Sequence, residues 1–449
     1  MKRSDGRNTV AVVGLGYVGL TLSVVMADAG FQVSGIDIRK KNIKSIKDGT
    51  PPIHENLLPQ LLRKHINKRF KIYENFSRVK AKTYIIAVGT PVVGGVPDLS
   101  SVISASESIG KRLGIGDLVI VRSTVPIGTT RGVIIPTLEL HSQIVAGKGF
   151  SVAFAPERMV EGDAIQEMKT IPQIIGGLDW NSTLMASNVF KLFMEAWPVT
   201  VGSLEAAEMV KLFNNTYRDV TFGLANEFAI ICDNFNIDPH HVISAANNHY
   251  GRSLIPYPSP GVGGYCLTKD PYILLHGVKR LAKRKSIAFH SREANKRMAE
   301  HVADKIIHFL VMILKKKLAD CRVGILGFAF KGFPPTSDTR FSPTLDLLPH
   351  LDGIGEILGH DPLVPMDEIS GMGKVSVRSN ARDCFIKADA VIIMTNHPDY
   401  CDVDIRDGVE LMNPGALFFD PWQLHGQVKS PKLLNIEYAT LGYSSYRNS

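Results

Sequence analysis

The sequence predicts an α/β protein in which two Rossmann-like, doubly wound domains are joined by a central helical domain. Short β-branched runs alternate with helical segments in residues 1–202 and again in residues 318–449, as expected for parallel strands covered by helices. Residues 203–317 instead contain two long stretches with helical periodicity. We therefore expect three domains with these boundaries.

The composition is that of a globular protein. The chain has 449 residues, of which 45% are hydrophobic and 21% charged, which is typical of soluble proteins with more than one domain. Much of the net charge of +8 lies in two basic clusters, residues 278–285 and 315–317. No aromatic residues alternate with these cations, so solvated helix faces are a better interpretation than a nucleic-acid surface.

The cysteines and the first apolar run bear on location. Five cysteines without pairs or CxxC spacing predict no disulfide and no metal site, and they favour the reducing cytoplasm. The uncharged run 9–27 resembles part of a signal peptide or membrane span. Its glycines interrupt that pattern and fit a nucleotide-binding turn instead, so we expect neither an export signal nor a membrane partner.

The first domain begins with a strand, a glycine turn and a helix. Gly14, Gly16 and Gly19 have the spacing at which the first glycine permits a tight turn, the second admits a pyrophosphate, and the third allows close helix–strand packing. Backbone N–H groups at the helix start favour an anion. The predicted elements are strands 9–13, 31–36, 84–88, 118–122 and 151–155, with a helix over 20–29.

Asp37 ends the second predicted strand, where a carboxylate can accept hydrogen bonds from ribose hydroxyls and repel a 2′-phosphate. This position favours NAD over NADP as the cofactor. Arg39 and Lys40 follow closely, so NADP remains open on charge alone.

The central domain should contain helices over 204–235 and 286–317. The second carries an apolar stripe at Ala294, Met298, Val302, Ile306 and Leu310. Long apolar stripes on these two helices are either a subunit interface or pack inside one subunit.

The last domain repeats the order of the first, with strands at 322–326, 357–359, 390–394 and 417–419. It lacks the three-glycine motif, so a second dinucleotide site of the same kind is not expected. Lys331, Asp338 and Arg340 follow its first strand, and cations at the carboxyl ends of such strands are placed to meet phosphates.

Cys266 lies after a glycine-rich run, with Lys269 and Asp270 one turn later. A thiol close to a cation has a lowered pKa and is more nucleophilic. It is therefore a candidate to capture a carbonyl produced by oxidation. A buried structural role suits Cys232, Cys321 and Cys384 better.

Two further pairs have a spacing of four residues. Lys211 and Asn215 share one helix face, which is either a solvated stripe or the wall of a cleft. Glu157 and Glu161 follow the strand at 151–155, and either could act as a general base or belong to a solvated helix start.

Together these blocks resemble the UDP-sugar 6-dehydrogenase family, which includes UDP-glucose and UDP-N-acetylmannosamine dehydrogenases. The resemblance extends from Val10 to about Leu441. It is carried by the motifs Gly14-x-Gly16-Tyr17-Val18-Gly19, Thr90-Pro91, Ser123-Thr124-Val125-Pro126-x-Gly128-Thr129-Thr130, Pro156-Glu157-Arg158, Lys211-x-x-x-Asn215, Gly263-Gly264-x-Cys266, Lys269-Asp270, Phe330-Lys331 and Asp338-Thr339-Arg340.

The resemblance implies a four-electron oxidation of a sugar C6 hydroxyl that consumes two NAD⁺. It implies that Cys266 forms a thiohemiacetal and then a thioester, and that Lys211 stabilises an oxyanion. Asp270 and Asn215 would position water, with Glu157 as a candidate base. The implied cofactor-binding residues are Gly14, Gly16, Tyr17, Val18, Gly19, Asp37, Arg39, Thr90, Pro91, Ser123, Thr124, Glu161 and Lys269. The implied UDP-sugar-binding residues are Arg158, Arg252, Tyr257, Gly263, Lys331 and Arg340.

The family also implies a homodimer or higher homo-oligomer, in which Arg252 serves a neighbouring subunit. The motifs that distinguish substrates are mixed. Residues 156–158, 260–264 and 270–271 resemble the N-acetylhexosamine branch, whereas Tyr265-Cys266-Leu267 and Lys269-Asp270 resemble the glucose branch. We favour UDP-ManNAc or UDP-GlcNAc as the substrate, with UDP-glucose as the alternative.

Two other functions remain open from the residues alone. A two-electron hydroxyacid-type dehydrogenase shares the first domain but needs no thiol. A catalytically inactive nucleotide-sugar-binding protein would be expected to lack Cys266, Lys211 or Asp270, all of which are present.

Overall fold

The structure is a computed structural model that describes residues 8–252, 254–278, 286–401, 405–425 and 435–447. The chain forms two compact units, residues 1–215 with 272–280 and residues 216–271 with 281–449. Most of the basic cluster at 278–285 lies outside the described residues.

The first unit is built on an eight-stranded sheet in the order β10-β9-β8-β7-β4-β1-β2-β3. Neighbouring strands are parallel except for the antiparallel pair β8–β9. The strands are β1 (Thr9–Val13), β2 (Gln32–Ile36), β3 (Phe70–Tyr73), β4 (Thr83–Ile86), β7 (Leu118–Val121), β8 (Ser151–Phe154), β9 (Ile174–Gly177) and β10 (Val199–Val201), with a separate hairpin of β5 (Val92–Val93) and β6 (Val96–Pro97).

Helices cover both faces of this sheet. They are α1 (Tyr17–Asp28), α2 (Lys40–Lys47), α3 (Leu58–His65), α4 (Ser100–Gly110), α5 (Ile135–Ser142), α6 (Ala164–Thr170) and α7 (Trp180–Lys191), with a π-helical turn at Thr130–Ile134 before α5. The two faces enclose separate apolar cores, one around Leu22 and Ile120 and the other around Ile86 and Val121. All residues of the central strands β4 and β7 are buried, which is why their sequences are largely apolar on both faces.

The register brings the carboxyl ends of the central strands level. Val13 of β1 is paired with Ile36 of β2 and with Ile86 of β4. The loops that follow these strands therefore meet at one edge of the sheet, where α/β proteins bind ligands.

The second unit contains the helices α9 (Pro239–Asn247) and α11 (Ile287–His308), and the greater part of α8 (Leu204–Asn234), which begins in the first unit. The short helix α10 (Asp270–Leu275) begins in this unit as well. Gly223 of α8 lies against Ser291 of α11, and a Cβ atom there would overlap the Ser291 hydroxyl. The two long helices therefore pack closely at this point.

The apolar stripe of α11 packs inside the chain. Met298, Val302, Ile306 and Leu310 are fully buried in a core shared with Val323 of the last domain. The subunit-interface interpretation of this stripe is therefore wrong, and the packing alternative holds. The helix also ends earlier than expected, through a π-helical turn at Phe309–Ile313 and a left-handed residue, Lys315.

The last domain is a six-stranded parallel sheet in the order β13-β12-β11-β14-β15-β16. Its strands are β11 (Arg322–Leu326), β12 (Glu356–His360), β13 (Val375–Val377), β14 (Ala390–Ile393), β15 (Leu417–Phe419) and β16 (Glu437–Ala439). Its helices are α12 (Pro343–Leu347), α13 (Met366–Ser370), α14 (Pro398–Cys401) and α15 (Ile405–Val409). The predicted fold class, two parallel-sheet domains joined by a helical one, is confirmed.

Large apolar side chains lie exposed along α8. Tyr217, Leu224 and Ile231 follow one another at intervals of seven residues and are each about half exposed or more. Side chains at this spacing share a helix face.

Among the described residues, none of the helices has the length and apolar composition that a membrane span requires.

Candidate active site

The glycine turn between β1 and α1 has the three features that the sequence predicted. Gly14 has a left-handed φ of +91°, and a Cβ atom there would lie 2.8 Å from the Ala87 carbonyl oxygen. A Cβ at Gly19 would overlap the Gly14 carbonyl, so this glycine sets the contact between helix and strand. Apart from its chain neighbours, no described residue has an atom within 4 Å of the Cβ position at Gly16. The turn therefore leaves open space at the amino end of α1, next to Tyr17 and Val18, where an anion is favoured.

Asp37 is buried at the end of β2 and fastens this turn. One carboxylate oxygen accepts a 2.8 Å hydrogen bond from the Leu15 N–H, and the other accepts one of 2.8 Å from the Arg39 N–H. Each oxygen keeps a further lone pair for a hydroxyl donor. The position fits a ribose beside the turn.

Tyr17 joins the glycine turn to the loop that contains Glu161. Its hydroxyl donates to Glu55 and accepts a 2.9 Å hydrogen bond from the Gly162 N–H. The buried Glu55 also accepts from Gly162 at 2.9 Å, and Asn56 donates to the Gly162 carbonyl. Burial and the Glu55 carboxylate raise the pKa of Tyr17 far above its ordinary value, so the phenol stays protonated.

The polar loops after β4 and β7 are bonded to each other. The Thr90 hydroxyl donates to the Thr124 carbonyl oxygen at 2.5 Å, and the Ser123 hydroxyl donates to the Val88 carbonyl at 2.7 Å. Pro91 is exposed beside them. These loops lie beyond the carboxyl ends of β4 and β7, which are the neighbours of β1 on one side of the sheet.

Lys211 and Glu157 form a buried ion pair. The Lys211 ammonium lies 3.2 Å from one carboxylate oxygen of Glu157, and the other oxygen accepts from the Met159 N–H. Both side chains are about nine-tenths buried or more, as is Asn215 one turn along α8. The solvated-face alternatives for Lys211, Asn215 and Glu157 are therefore wrong. Arg158 lies beside this pair and donates to the Pro172 carbonyl oxygen at 2.5 Å.

The helix that presents Lys211 is bonded to the loop after β7. Glu208, one turn before Lys211, accepts hydrogen bonds from the Gly128 N–H at 2.5 Å, the Thr130 N–H at 2.9 Å and the Thr130 hydroxyl at 2.6 Å. Burial raises the pKa of Glu208, whereas these three donors oppose that shift. The carboxylate thus closes the amino end of the π-helical turn.

In the second unit, Cys266 lies exposed on a tight turn. Its carbonyl oxygen accepts a 2.9 Å hydrogen bond from the Asp270 N–H, and the Thr268 hydroxyl donates to the Gly264 carbonyl at 2.8 Å. Gly264 has a φ of +87° and packs against the Phe330 ring, and a Cβ at Gly263 would overlap the Phe341 carbonyl. The turn is therefore fixed in place while the thiol is left accessible.

The residues that follow Cys266 are paired. The Lys269 ammonium lies 2.7 Å from one carboxylate oxygen of Asp270, and both side chains are buried. Lys269 also lies 5.0 Å from the centre of the Tyr265 ring. Its charge is therefore matched by Asp270 within the turn.

Arg340 completes this cluster from the last domain. Its guanidinium lies 4.8 Å from the centre of the Tyr265 ring and forms a bidentate pair with Asp338. Lys331 lies nearby in the chain, against Phe330. The fold thus brings Gly263-Gly264-x-Cys266, Phe330-Lys331 and Asp338-Thr339-Arg340 into one place, although more than 60 residues of sequence separate the first motif from the others.

Arg252 and Tyr257 occupy the segment before this turn. Tyr257 is half exposed and stacks on His240 with ring centres 4.6 Å apart. Arg252 is exposed and lies against Tyr250. Both residues thus contact aromatic side chains of residues 240–257.

The other cysteines differ from Cys266. Cys321 and Cys384 are buried, and burial raises the pKa of the Cys384 thiol to about 12. Cys232 is partly buried, and Cys401 is exposed on α14. No group of three or more His, Cys, Asp or Glu side chains suited to a metal ion occurs in the described ranges.

Several buried polar residues near these motifs were not predicted. They are Glu55, Glu208, Asp219 and Arg292. Glu208 could have been found by extending the Lys211–Asn215 face one turn toward the start of α8, since residues three or four apart are neighbours on a helix. Glu55 lies in a loop segment without a recognisable pattern.

Comparison with known proteins gives three consecutive matches along the chain. The NAD-binding domain of the UDP-glucose/GDP-mannose dehydrogenase family matches residues 8–194, its central domain matches residues 205–297, and its UDP-binding domain matches residues 324–427.

Individual relatives agree with this result. UDP-N-acetyl-D-mannosamine dehydrogenase of Pyrococcus horikoshii is 33% identical over 398 residues, covering 88% of this chain and 91% of the relative. The solved structure of UDP-D-ManNAc dehydrogenase from the same organism has a TM-score of 0.86 at 30% identity, covering 97% and 99% of the two chains. The structure of UDP-N-acetyl-mannosamine dehydrogenase Cap5O from Staphylococcus aureus has a TM-score of 0.81 at 29% identity, covering 98% and 99%.

Proposed function

Because the chain belongs to the UDP-glucose/GDP-mannose dehydrogenase family, we propose that it oxidises the C6 hydroxyl of a UDP-N-acetylhexosamine to the uronate. The predicted family, the enzyme class of NAD-dependent UDP-sugar dehydrogenase, and the use of NAD are confirmed by these matches. UDP-ManNAc is the favoured substrate, because the relatives described above are named for it. UDP-GlcNAc and UDP-glucose are the alternatives.

One observation carries the four-electron reaction. Cys266 is an exposed thiol on a fixed turn that ends in the buried Lys269–Asp270 pair. A two-electron hydroxyacid-type oxidation needs no nucleophile, whereas oxidation to an acid benefits from a covalent intermediate that keeps the aldehyde bound.

The cofactor site that we propose lies at the carboxyl edge of the first sheet. The open space at Gly16, the amino end of α1 and the buried Asp37 fit the pyrophosphate and the ribose of NAD. The loops at Thr90-Pro91 and Ser123-Thr124 would border the nicotinamide half, and Glu161 and Lys269 are the further residues that we propose to bind the cofactor. When bound, NAD⁺ supplies the hydride acceptor for each oxidation, and we propose that two are consumed per sugar.

Lys211 is the proposed oxyanion stabiliser. Its ammonium is buried and fixed by Glu157, and a buried cation acts more strongly on a developing negative charge than one in water. The Glu157 carboxylate, held by Lys211 and the Met159 N–H, is the candidate proton acceptor.

Cys266 carries the covalent steps. Its thiolate sulfur bonds to C6 of the aldehyde, and the resulting oxyanion takes a proton to give a thiohemiacetal. Loss of a hydride and of the hydroxyl proton converts this to a thioester. Water then adds to C6, the C–S bond breaks, and the acid and the thiol are released. Asp270 and Asn215 are the proposed residues that orient this water.

The proposed UDP-sugar site uses cations and small residues of the later motifs. Lys331 and Arg340 would meet the diphosphate, and Arg158 and Arg252 would contribute further positive charge. Gly263 lets the Phe341 carbonyl pack closely against the turn, and Tyr257 offers a half-exposed ring. We propose that Arg252 serves the site of a neighbouring subunit.

We further propose a homodimer that buries the exposed face of α8. Tyr217, Leu224 and Ile231 form an exposed apolar stripe on a 31-residue helix, and exposed apolar patches of this kind mark protein interfaces. In a two-fold dimer the same surface of both subunits forms the interface. We therefore propose that α8 packs against α8 of the second subunit. We also propose that the protein acts in the cytoplasm. The proposed domain boundaries lie between residues 202 and 203 and between residues 317 and 318.

The test is an assay of NADH formed per sugar with UDP-ManNAc, UDP-GlcNAc, UDP-GalNAc and UDP-glucose. We expect two NADH per sugar and the highest kcat/KM with UDP-ManNAc. One NADH per sugar would contradict the four-electron reaction, and a preference for UDP-glucose would support the alternative substrate. In Cys266→Ser we expect unchanged NAD binding and almost no acid.

A further inference from the structure

Behind the Cys266 turn lies a buried polar network that joins α8, α11 and the loop between them. Arg292 of α11 and Asp219 of α8 form an ion pair with a distance of 2.5 Å, and both are almost completely buried. Asn295 donates to the same Asp219 oxygen at 2.9 Å and to the Asp219 carbonyl at 3.0 Å. Removing two charges from water is costly, and a hydrophobic pair of similar volume would often serve stability as well or better. The network therefore calls for a reason beyond stability.

The contacts of Arg292 indicate that reason. Besides Asp219, its guanidinium donates to the Val262 carbonyl oxygen at 3.3 Å and to the Leu267 carbonyl oxygen at 3.5 Å. These two carbonyls lie on either side of Cys266 in the chain. A guanidinium presents several N–H donors in a rigid plane, so one arginine can hold two segments at a fixed separation.

The network continues into the loop that leads to the turn. Asn295 accepts from Asn226 at 2.9 Å, and Asn226 in turn accepts from the Ser259 N–H at 2.8 Å. The Ser259 hydroxyl donates to the Gly261 carbonyl at 2.9 Å. The segment from Ser259 to Leu267 is thus held from behind by residues of the two long helices.

We propose that Arg292 is a positioning residue that holds the Cys266 turn in its reactive geometry by bridging the Val262 and Leu267 carbonyls while paired with Asp219. This inference rests on the proposed role of Cys266 as the nucleophile. Arg292 itself lies beneath the turn and acts only through the backbone.

The variant that tests this is Arg292→Lys. A lysine keeps the positive charge opposite Asp219, so the buried carboxylate stays compensated, but its single ammonium lacks the planar donor set that spans both carbonyls. We expect kcat to fall about tenfold or more, since small displacements of a reacting group are costly, while the KM for NAD⁺ changes less than about twofold. We also expect faster hydrogen exchange of the Thr268 and Asp270 amides, which close the turn.

A matched control is available on the same two helices. Lys305 of α11 and Asp233 of α8 form a second buried ion pair, which within the described part of the chain makes no hydrogen bond or ion pair to the Cys266 turn. We expect Lys305→Met to lower stability at least as much as Arg292→Lys, and to leave kcat and the exchange of the turn amides near the wild-type values.

The outcomes separate the inference from the proposed function. Wild-type kcat and amide exchange in Arg292→Lys would overturn the positioning role, as would an equal loss of kcat in folded Lys305→Met. Acid production by Cys266→Ser would instead overturn the nucleophile itself. Asp219→Asn provides a second approach, because it removes the counter-ion of Arg292 with little change in shape, and it should also lower kcat without raising the KM for NAD⁺.

Discussion

The ammonium group of Lys211 lies 3.2 Å from the carboxylate of Glu157, in a pair that is buried from solvent. The two residues come from α8 and from the loop after β8, 54 positions apart in the chain. Each compensates the buried charge of the other, because a buried charge is stable only with a partner. A change at either residue should therefore affect catalysis more than substrate affinity.

We expect Glu157→Gln to lower kcat about a hundredfold, a loss within the usual range for a general base, with little change in the KM values. The glutamine still accepts the Met159 N–H, so the loop should keep its path. Steady-state kinetics check this. Glu205→Gln is the control, since Glu205 forms a more exposed pair with Arg131 near the start of the same helix; an equal loss there would show that the effect is not specific to Glu157.

The glycine turn yields a matched pair of variants. Gly19→Ala should destabilise the protein by about 3 kcal/mol, because the new methyl group overlaps the Gly14 carbonyl. Gly16→Ala should leave the melting temperature nearly unchanged, since its Cβ meets open space, yet raise the KM for NAD⁺ at least about tenfold by intruding on the pyrophosphate. Thermal unfolding and NAD⁺ titration distinguish the two effects; unaltered NAD⁺ affinity in Gly16→Ala would place the cofactor elsewhere.

The exposed face of α8 should determine the oligomeric state. We expect Leu224→Glu to convert a dimer to a monomer, because it places a charge in the middle of the apolar stripe. Sedimentation equilibrium measures the mass directly. Glu227→Lys, an exposed change one turn away, is the control, and an unchanged mass in Leu224→Glu would exclude this face as the interface.

Asp420 should make stability depend on pH. It is completely buried after β15, and burial raises its pKa from 3.8 to about 6. One of its oxygens accepts the His425 N–H at 2.9 Å, and the other has no hydrogen-bond partner among the described residues. A carboxyl group with a raised pKa stabilises the fold at low pH, and this contribution is lost as the pH rises from about 4 through 6.

We therefore expect Asp420→Asn to be more stable than the wild type by about 3 kcal/mol at pH 8 and by about half of that at pH 5. Urea unfolding at the two pH values measures the difference. A gain that is the same at both would show that the ionisation of Asp420 is not its cause. Asp389→Asn is a contrasting variant. The buried Asp389 carboxylate is paired with Lys316, so this substitution should lower the stability of the protein.

The sequence predicted the parallel sheets and the position of each central strand within a few residues, because strands buried on both faces have nearly continuous apolar sequences. It also predicted Asp37 as a cofactor-binding residue and Lys211 and Cys266 as catalytic residues, since each lies within a few positions of glycines or polar residues that suggest its role. Arg292 and Glu55 were not predicted, because their partners lie 25 or more positions away and neither forms a periodic pattern. The sequence also did not decide what the apolar stripe of α11 packs against, since the same pattern is expected whether the stripe contacts β11 or another subunit.

The turn around Cys266 also restricts how the enzyme can diversify. At Gly263 and Gly264 even one added carbon would collide with Phe341 or Phe330, and Lys269 and Asp270 form a buried ion pair. A library that randomises residues 263–270 should therefore yield folded, active clones that differ mainly at Tyr265, Leu267 and Thr268. Selection for a new sugar acts on three side chains spread around an invariant thiol, and the changes that survive should alter the choice of substrate while the chemistry stays the same.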